Sequence, residues 1–194
     1  MSLVKRNRRN LERKAGEVRF EPRNEDPSLL ELCLTLKSLQ YRRTKLPDLL
    51  ASERNRGLFR TLLARRVLWV SVLWAGPQPA AIHAGVLHGR RFYYWLPVYE
   101  PALSQASPGR LLLMELMRWS LESGHEEFDF LLGDEAYKRT YATGARIIEP
   151  DGDPPLPMRL WNAARARLMP RVRAHPLLYS FLQNGKRSFL THAG

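Results

Sequence analysis

The side chains able to do chemistry gather between residues 83 and 138. His83 alternates with Ala81, Gly85 and Leu87, so on a strand it faces a side that two small neighbours leave open. Its imidazole titrates near neutrality and suits a general base; a core histidine with its nitrogens satisfied is the competing reading. Asp129 lies on the opposite strand face from Phe128 and Phe130, as a base, an orienting group or a solvated edge. Lys138 follows Tyr137, and an ammonium held beside a developing oxyanion lowers a barrier electrostatically. The plainer alternative is a surface lysine on a short helix. Asp134 reads as a helix cap and Glu135 as solvent-facing.

Two further groups are candidates for binding. Ser107-Pro108-Gly109 opens a helix, where free N–H groups and the positive end of the dipole make a ready pyrophosphate site. An ordinary serine N-cap is the alternative. Tyr93, Tyr94, Trp95 and Tyr99 cluster on one strand and its exit, with faces that stack on a sugar ring or simply fill a core.

These residues need a sheet and helices to hold them. Val4 to Lys14 is a basic helix that Gly16 ends, and Glu17 to Phe20 is a short strand. Asp26-Pro27-Ser28, with Glu31 beyond, starts a helix whose apolar residues are Leu29, Leu32, Cys33, Leu36 and Leu39. A second helix over 56–65 carries Leu58, Phe59, Leu62 and Leu63. Val67 to Trp74 is continuously apolar and rich in β-branched and aromatic residues, which suits a strand buried on both faces. Strands over 79–87 and 91–98 complete an antiparallel meander, and Pro97 should part its strand from a neighbour. The helix over 109–123 is apolar around most of its circumference and ends at Gly124. A strand over 127–131, a short helix to Tyr141 and a last strand over 144–149 follow. Strand, helix, strand implies a parallel or mixed crossover, hence an α+β chain with a mixed sheet.

Composition bounds the rest. At 194 residues, 44% of them hydrophobic, the chain is one full-sized domain with a proper core. A single cysteine, Cys33 among leucines, excludes an internal disulfide and any multi-cysteine metal site. No apolar stretch follows the basic start as in a secretory leader, and none is long enough for a membrane span, which places the protein in the cytoplasm. The net charge of +12 sits at the ends. Residues 1–14 hold six basic side chains against Glu12, and residues 154–194 hold seven against none. This divides the chain into a basic N-terminal helix or linker (1–16), a central domain (17–150), and a Pro-rich linker with two basic amphipathic helices (151–194). Leu160, Trp161, Phe181 and Phe189 interleave with arginines there, as in a helix lying on an anionic membrane face.

Two helices, a meander, a loop, a buried helix and a further strand is the element order of the GNAT-type acyltransferase fold. The chain resembles its CelD-like branch, tied to cellulose and exopolysaccharide biosynthesis and related to the Fem-type aminoacyltransferases. The residues that carry the resemblance are Ala80 to His83, Tyr93 to Pro97, Ser107 to Leu112, Glu127 to Leu131 and Gly133 to Lys138. It implies a mostly antiparallel central sheet flanked by helices. Acetyl-CoA or another acyl-CoA is then the co-substrate, without a metal, and an amine or hydroxyl, sugar-like or small, is the acceptor. By that resemblance Ser107, Gly109, Arg110 and Leu111 hold the coenzyme A pyrophosphate, with Leu96 and Val98 on the strand beside the donor. Lys138 stabilises the oxyanion, His83 or Asp129 takes the proton, and Tyr94, Trp95, Tyr99 and Tyr137 contact the acceptor. Members of this branch often carry two such folds in tandem, so a second GNAT-like domain or a homodimer is an expected partner.

Two other functions stay open. Gln105 to Arg110 holds one glycine and a proline that removes a donor, which, with the basic ends, favours aminoacyl-tRNA as donor. Otherwise nucleic acid is not expected. The third possibility is a non-catalytic GNAT-fold module docked on a membrane-associated polysaccharide machine.

Overall fold

The computed structural model describes residues 3–133 and 135–148. Met1–Thr143 forms one compact unit; of a second, Gly144–Gly194, only 144–148 are described. In chain order the elements are α1 (Leu3–Ala15), β1 (Val18–Asn24), α2 (Pro27–Arg43), α3 (Glu53–Ala64), β2 (Leu68–Ala75), β3 (Gln78–His88), β4 (Arg91–Tyr99), α4 (Pro108–Glu122), β5 (Glu127–Asp129) and α5 (Ala136–Tyr141). Short 3₁₀ turns at Leu49–Ala51 and Pro101–Ala106 link α2 to α3 and β4 to α4.

The five strands lie in the order β1-β2-β3-β4-β5, antiparallel except for β4 and β5, which run parallel. The mixed sheet therefore follows from α4, the crossover that the sequence requires. β2 occupies the middle of the antiparallel part, and seven of its eight residues are buried. One core lies between the sheet and α1 and α4, and holds Leu11, Trp69, Phe92, Tyr94, Leu112 and Leu116. The other lies beneath α2 and α3 and holds Leu30, Cys33, Phe59, Val70, Ile82, Leu96 and Val98.

Several expectations are revised. The basic start is part of the fold, since Leu11 has no exposed surface. Arg8 donates to Glu115 of α4 and to the Val18 carbonyl, and Lys14 donates to the Ala102 carbonyl. Asp26 caps α2 by accepting the Ser28 N–H, while Glu31 is no capping-box partner and pairs instead with Arg56 and Arg60 of α3. The buried stripe of α2 is Leu29, Leu30, Cys33, Leu34 and Ser38, and Leu32 and Leu39 point outward. Leu58 of α3 and Leu121 of α4 are exposed as well. β5 ends at Asp129, and 144–148 form no strand. Asp134, Glu149 and the proposed linker and helices over 151–194 lie outside the described residues.

Candidate active site

One irregularity in β4 builds the site. Ala84 pairs with Leu96 and Val86 with Tyr93, so β3 advances two residues while β4 advances three. The extra residue is a bulge at Tyr94-Trp95, opposite Gly85. Before it Phe92 and Tyr94 point into the core under α4; after it Leu96 and Val98 point into the core under α2. β5 pairs with β4 only at Arg91, Phe92 and Tyr93, and Arg91 clamps Glu127 at 2.7 Å. Beyond Tyr93 the two strands part. The sequence places the separation at Pro97, but it begins at the bulge, two to three residues earlier.

The fork opens into a cleft of ≈ 1100 Å³. Ten sequence-proposed residues line it: Tyr94, Trp95, Leu96, Val98, Tyr99, Ser107, Gly109, Arg110, Tyr137 and Lys138. His83, Asp129 and Leu111 do not.

His83 is fully buried, and burial pushes its imidazole down to about 3, helped by the positive charge of Lys37. Its Nε2 accepts the Trp95 N–H at 3.1 Å, and its ring stacks on Tyr94 with centroids 4.7 Å apart. The space beside Gly85 that sequence alternation leaves open is filled by the His83 ring, since a Cβ on Gly85 would collide with it. His83 is a core residue that props the bulge, not a base at the cleft. Asp129 turns back to accept the Leu131 N–H at 2.7 Å and lies 3.9 Å from Arg91, a structural turn at the end of β5. Leu111 is buried in the core, and its N–H donates to the Ser107 carbonyl.

Leu96 and Val98 line the wall but do not offer it donors. Glu100 N–H donates to the Ala80 carbonyl, which fixes a hydrogen-bonded pair next to Tyr99. Alternation along an antiparallel ladder then turns Val98 and Leu96 toward β3 and Pro97 and Tyr99 toward the cleft. Lys37 Nζ agrees with that register, since it reaches the Pro97 carbonyl at 3.2 Å. Tyr94 is also a core residue, buried against His83, Phe128 and Phe130, and burial pushes its phenol well above the usual range. Trp95, Tyr99 and Tyr137 keep a third or more of their surface exposed.

Ser107 is the N-terminal flanking residue of α4, but it does not cap. Its φ of 52° and ψ of 50° are left-handed, and its hydroxyl makes no capping bond. A conventional cap is extended, so this geometry leaves the first turn of α4 open to an anion. Such a conformation costs a non-glycine residue about 1 kcal/mol or more and is the kind of strain found at binding turns. Pro108 presets the first turn, and Gly109 lets the helix approach Tyr99, whose ring a Cβ would meet at 3.3 Å. Arg110 stands beside this turn and donates to the Tyr141 hydroxyl at 2.8 Å.

Across the cleft, Lys138 is tied down: its Nζ donates to the Leu132 carbonyl at 2.7 Å and pairs with Glu135 at 2.8 Å. The wall contributed by α2, through Lys37, Gln40, Tyr41 and Thr44, is missing from the sequence reading. Its signal is the spacing Cys33, Lys37, Tyr41, which continues the buried stripe once Leu29-Leu30 and Cys33-Leu34 are taken as its start. Burial lowers the Lys37 ammonium below its usual range. Among the described residues there is no cluster of His, Cys, Asp and Glu that would hold a metal, and no helix long and apolar enough to cross a membrane.

The same architecture recurs in solved structures. A possible acetyltransferase from Clostridium difficile 630 superimposes with a TM-score of 0.56 at 10% identity, over 70% of this chain and 98% of its own. A predicted acetyltransferase with acetyl-CoA from Clostridium acetobutylicum superimposes with a TM-score of 0.50 at 15% identity, over 72% and 94% of the two chains. No curated protein matches the chain. The acetyltransferase (GNAT) domain model matches residues 2–139, a span that takes in all of α1 and ends in α5. With the forked sheet and the open helix start both inside that span, the chain belongs to the GNAT acetyltransferase family.

Proposed function

We propose that the cleft binds acetyl-CoA or another acyl-CoA and transfers its acyl group to an amine or hydroxyl on a small or sugar-like acceptor. The observation that carries the reading is the coincidence of the β4–β5 fork with the uncapped start of α4. Ser107, the Gly109 N–H and Arg110 would hold the pyrophosphate, and the pantetheine arm would run along the free edge of β4 from Tyr99 toward the bulge. The acetyl-CoA in the Clostridium acetobutylicum structure supports this choice of donor. Trp95, Tyr99 and Tyr137 give the cleft exposed aromatic faces, with the half-buried Tyr41 of α2 on the same wall, which support a sugar acceptor of the kind used in exopolysaccharide or cellulose biosynthesis.

In this scheme the acceptor attacks the thioester directly. Glu135, the carboxylate among the described wall residues, replaces His83 and Asp129 as the group that receives the acceptor's proton. Lys138 holds Glu135 in place through their 2.8 Å ion pair. An aminoacyl-tRNA donor has less to stand on, because Arg8 and Lys14 of the basic start are bonded into the fold.

A thermal-shift titration with acetyl-CoA and free CoA tests the reading. Ligand that binds only the native state stabilises it by mass action, about 2.7 kcal/mol at a hundredfold excess over Kd. A saturable rise in Tm, abolished by Gly109→Glu, is expected; no rise up to millimolar ligand would overturn acyl-CoA as the donor.

A further inference from the structure

A carbonyl that lies along the free edge of β4 meets few backbone donors. Pro97 faces the cleft but has no N–H, and Trp95 gives its N–H to His83 Nε2 at 3.1 Å. Along the outward positions, only Tyr99 among these three keeps an N–H, and it lies at the Gly109 end, beside the pyrophosphate turn. The inner stretch of the edge, next to the fork, is therefore an acceptor row. Lys37 stands over that gap. It comes from α2, touches β4 through the Pro97 carbonyl at 3.2 Å, and places its ammonium 5.4 Å from the Tyr41 ring. Among the described residues no carboxylate lies within ion-pair distance of it, unlike Lys138, which Glu135 neutralises. An ammonium has three donors and the Pro97 carbonyl uses one.

We propose that Lys37 replaces the backbone donor that Pro97 lacks, donating a hydrogen bond to the thioester carbonyl of the acyl donor and holding the oxyanion as it forms. The assignment rests on the acyl-CoA reading above. In the step, the acceptor's lone pair attacks the carbonyl carbon and the C=O π pair moves onto the oxygen that Lys37 faces. Collapse breaks the C–S bond, and coenzyme A leaves as the thiolate. The proton released by the acceptor passes through Glu135 to that sulfur, and Lys37 keeps its own. Burial makes Lys37 effective here, because a desolvated ammonium gains more from a developing negative charge than a hydrated one does. The lowered pKa of Lys37 is the same burial seen from the amine's side.

The test needs no knowledge of the acceptor. Calorimetric titration of the full chain with acetyl-CoA and with free CoA separates the acyl end from the nucleotide end. Wild type should bind acetyl-CoA about tenfold more tightly than CoA, the scale of one charge-assisted hydrogen bond. Lys37→Met should erase that preference and leave the CoA affinity unchanged. With acetyl-CoA labelled by carbon-13 at the carbonyl, the resonance should move downfield on binding wild type and return toward its free position in Lys37→Met. Lys37→Gln, which keeps a neutral donor, should retain part of that movement and stands in if the methionine variant does not fold. Equal losses for both ligands, an unchanged preference, or no carbonyl movement in wild type would overturn the role of Lys37. Wild type that binds neither ligand would instead refute the acyl-CoA reading itself.

Discussion

At the residue scale, His83 illustrates how burial converts a chemically suggestive side chain into a structural one. The unfolded chain protonates this imidazole near 6.5, whereas burial holds it neutral down to about 3 in the fold. As pH falls through that window the unfolded state takes up the proton first, so stability is present above pH 6.5 and is lost below it. Urea unfolding should show a loss of roughly 2 kcal/mol from this residue over the first 1.5 pH units below 6.5. His83→Leu should flatten that slope, although it leaves the Trp95 N–H unpaired; equal slopes in both proteins would contradict the account. Gly85 and His83 are coupled by the same geometry. Gly85→Ala should destabilise by about 1–3 kcal/mol through overpacking, and much of that loss should vanish in a His83→Ala background. Independent, additive losses would contradict the packing argument. Cys33 follows the same rule, its thiol pushed up to about 12 by full burial, so it is inert at neutral pH.

At the scale of elements, the bulge in β4 and the helix α1 carry most of what the linear pattern hides. One extra residue at Tyr94-Trp95 exchanges the faces of the strand and coincides with the point where β5 leaves it. Period-two alternation read from Arg91 to Val98 therefore assigns the second half of the strand to the wrong side. α1 hides behind its charge. Six basic residues between Lys5 and Lys14 read as an appendage, yet Asn7 and Leu11 face the core at helical spacing. Leu11→Ala should cost about 2–5 kcal/mol in chemical denaturation, the range for a buried leucine. A loss below 0.5 kcal/mol would return α1 to the status of a linker.

For the whole molecule, Met1–Thr143 is compact and contains the fork, the cleft wall to Tyr141 and all of the matched family span. A chain ended at Thr143 should melt cooperatively and keep the rise in Tm caused by acetyl-CoA, since every described residue that lines the cleft belongs to that unit. A broad, non-cooperative melt would show that residues beyond 143 complete the fold. The basic residues between 154 and 194 carry seven of the twelve net charges, and their proposed attraction to anionic membrane surfaces is separable from the chemistry. Vesicle flotation of the full chain, lost on removal of 158–194, is the expected outcome of that proposal.

Local physics determined much of this protein before any packing was considered. The long apolar run of β2, the Pro-Gly start of α4 and the glycine stops at Gly16 and Gly124 fixed the element order and the crossover. With that order came the fold and most of the cleft wall, because residues at strand ends and helix starts converge once the topology is set. What only tertiary structure decided was which side chains reach the cleft. His83 is held by Trp95 of the next strand and Asp129 by its own turn with Arg91 beside it, and Lys37 enters because α2 turns a different stripe inward than its many leucines suggest. A sequence lists the donors and acceptors; the bulge register and the burial of each group decide which remain free to act.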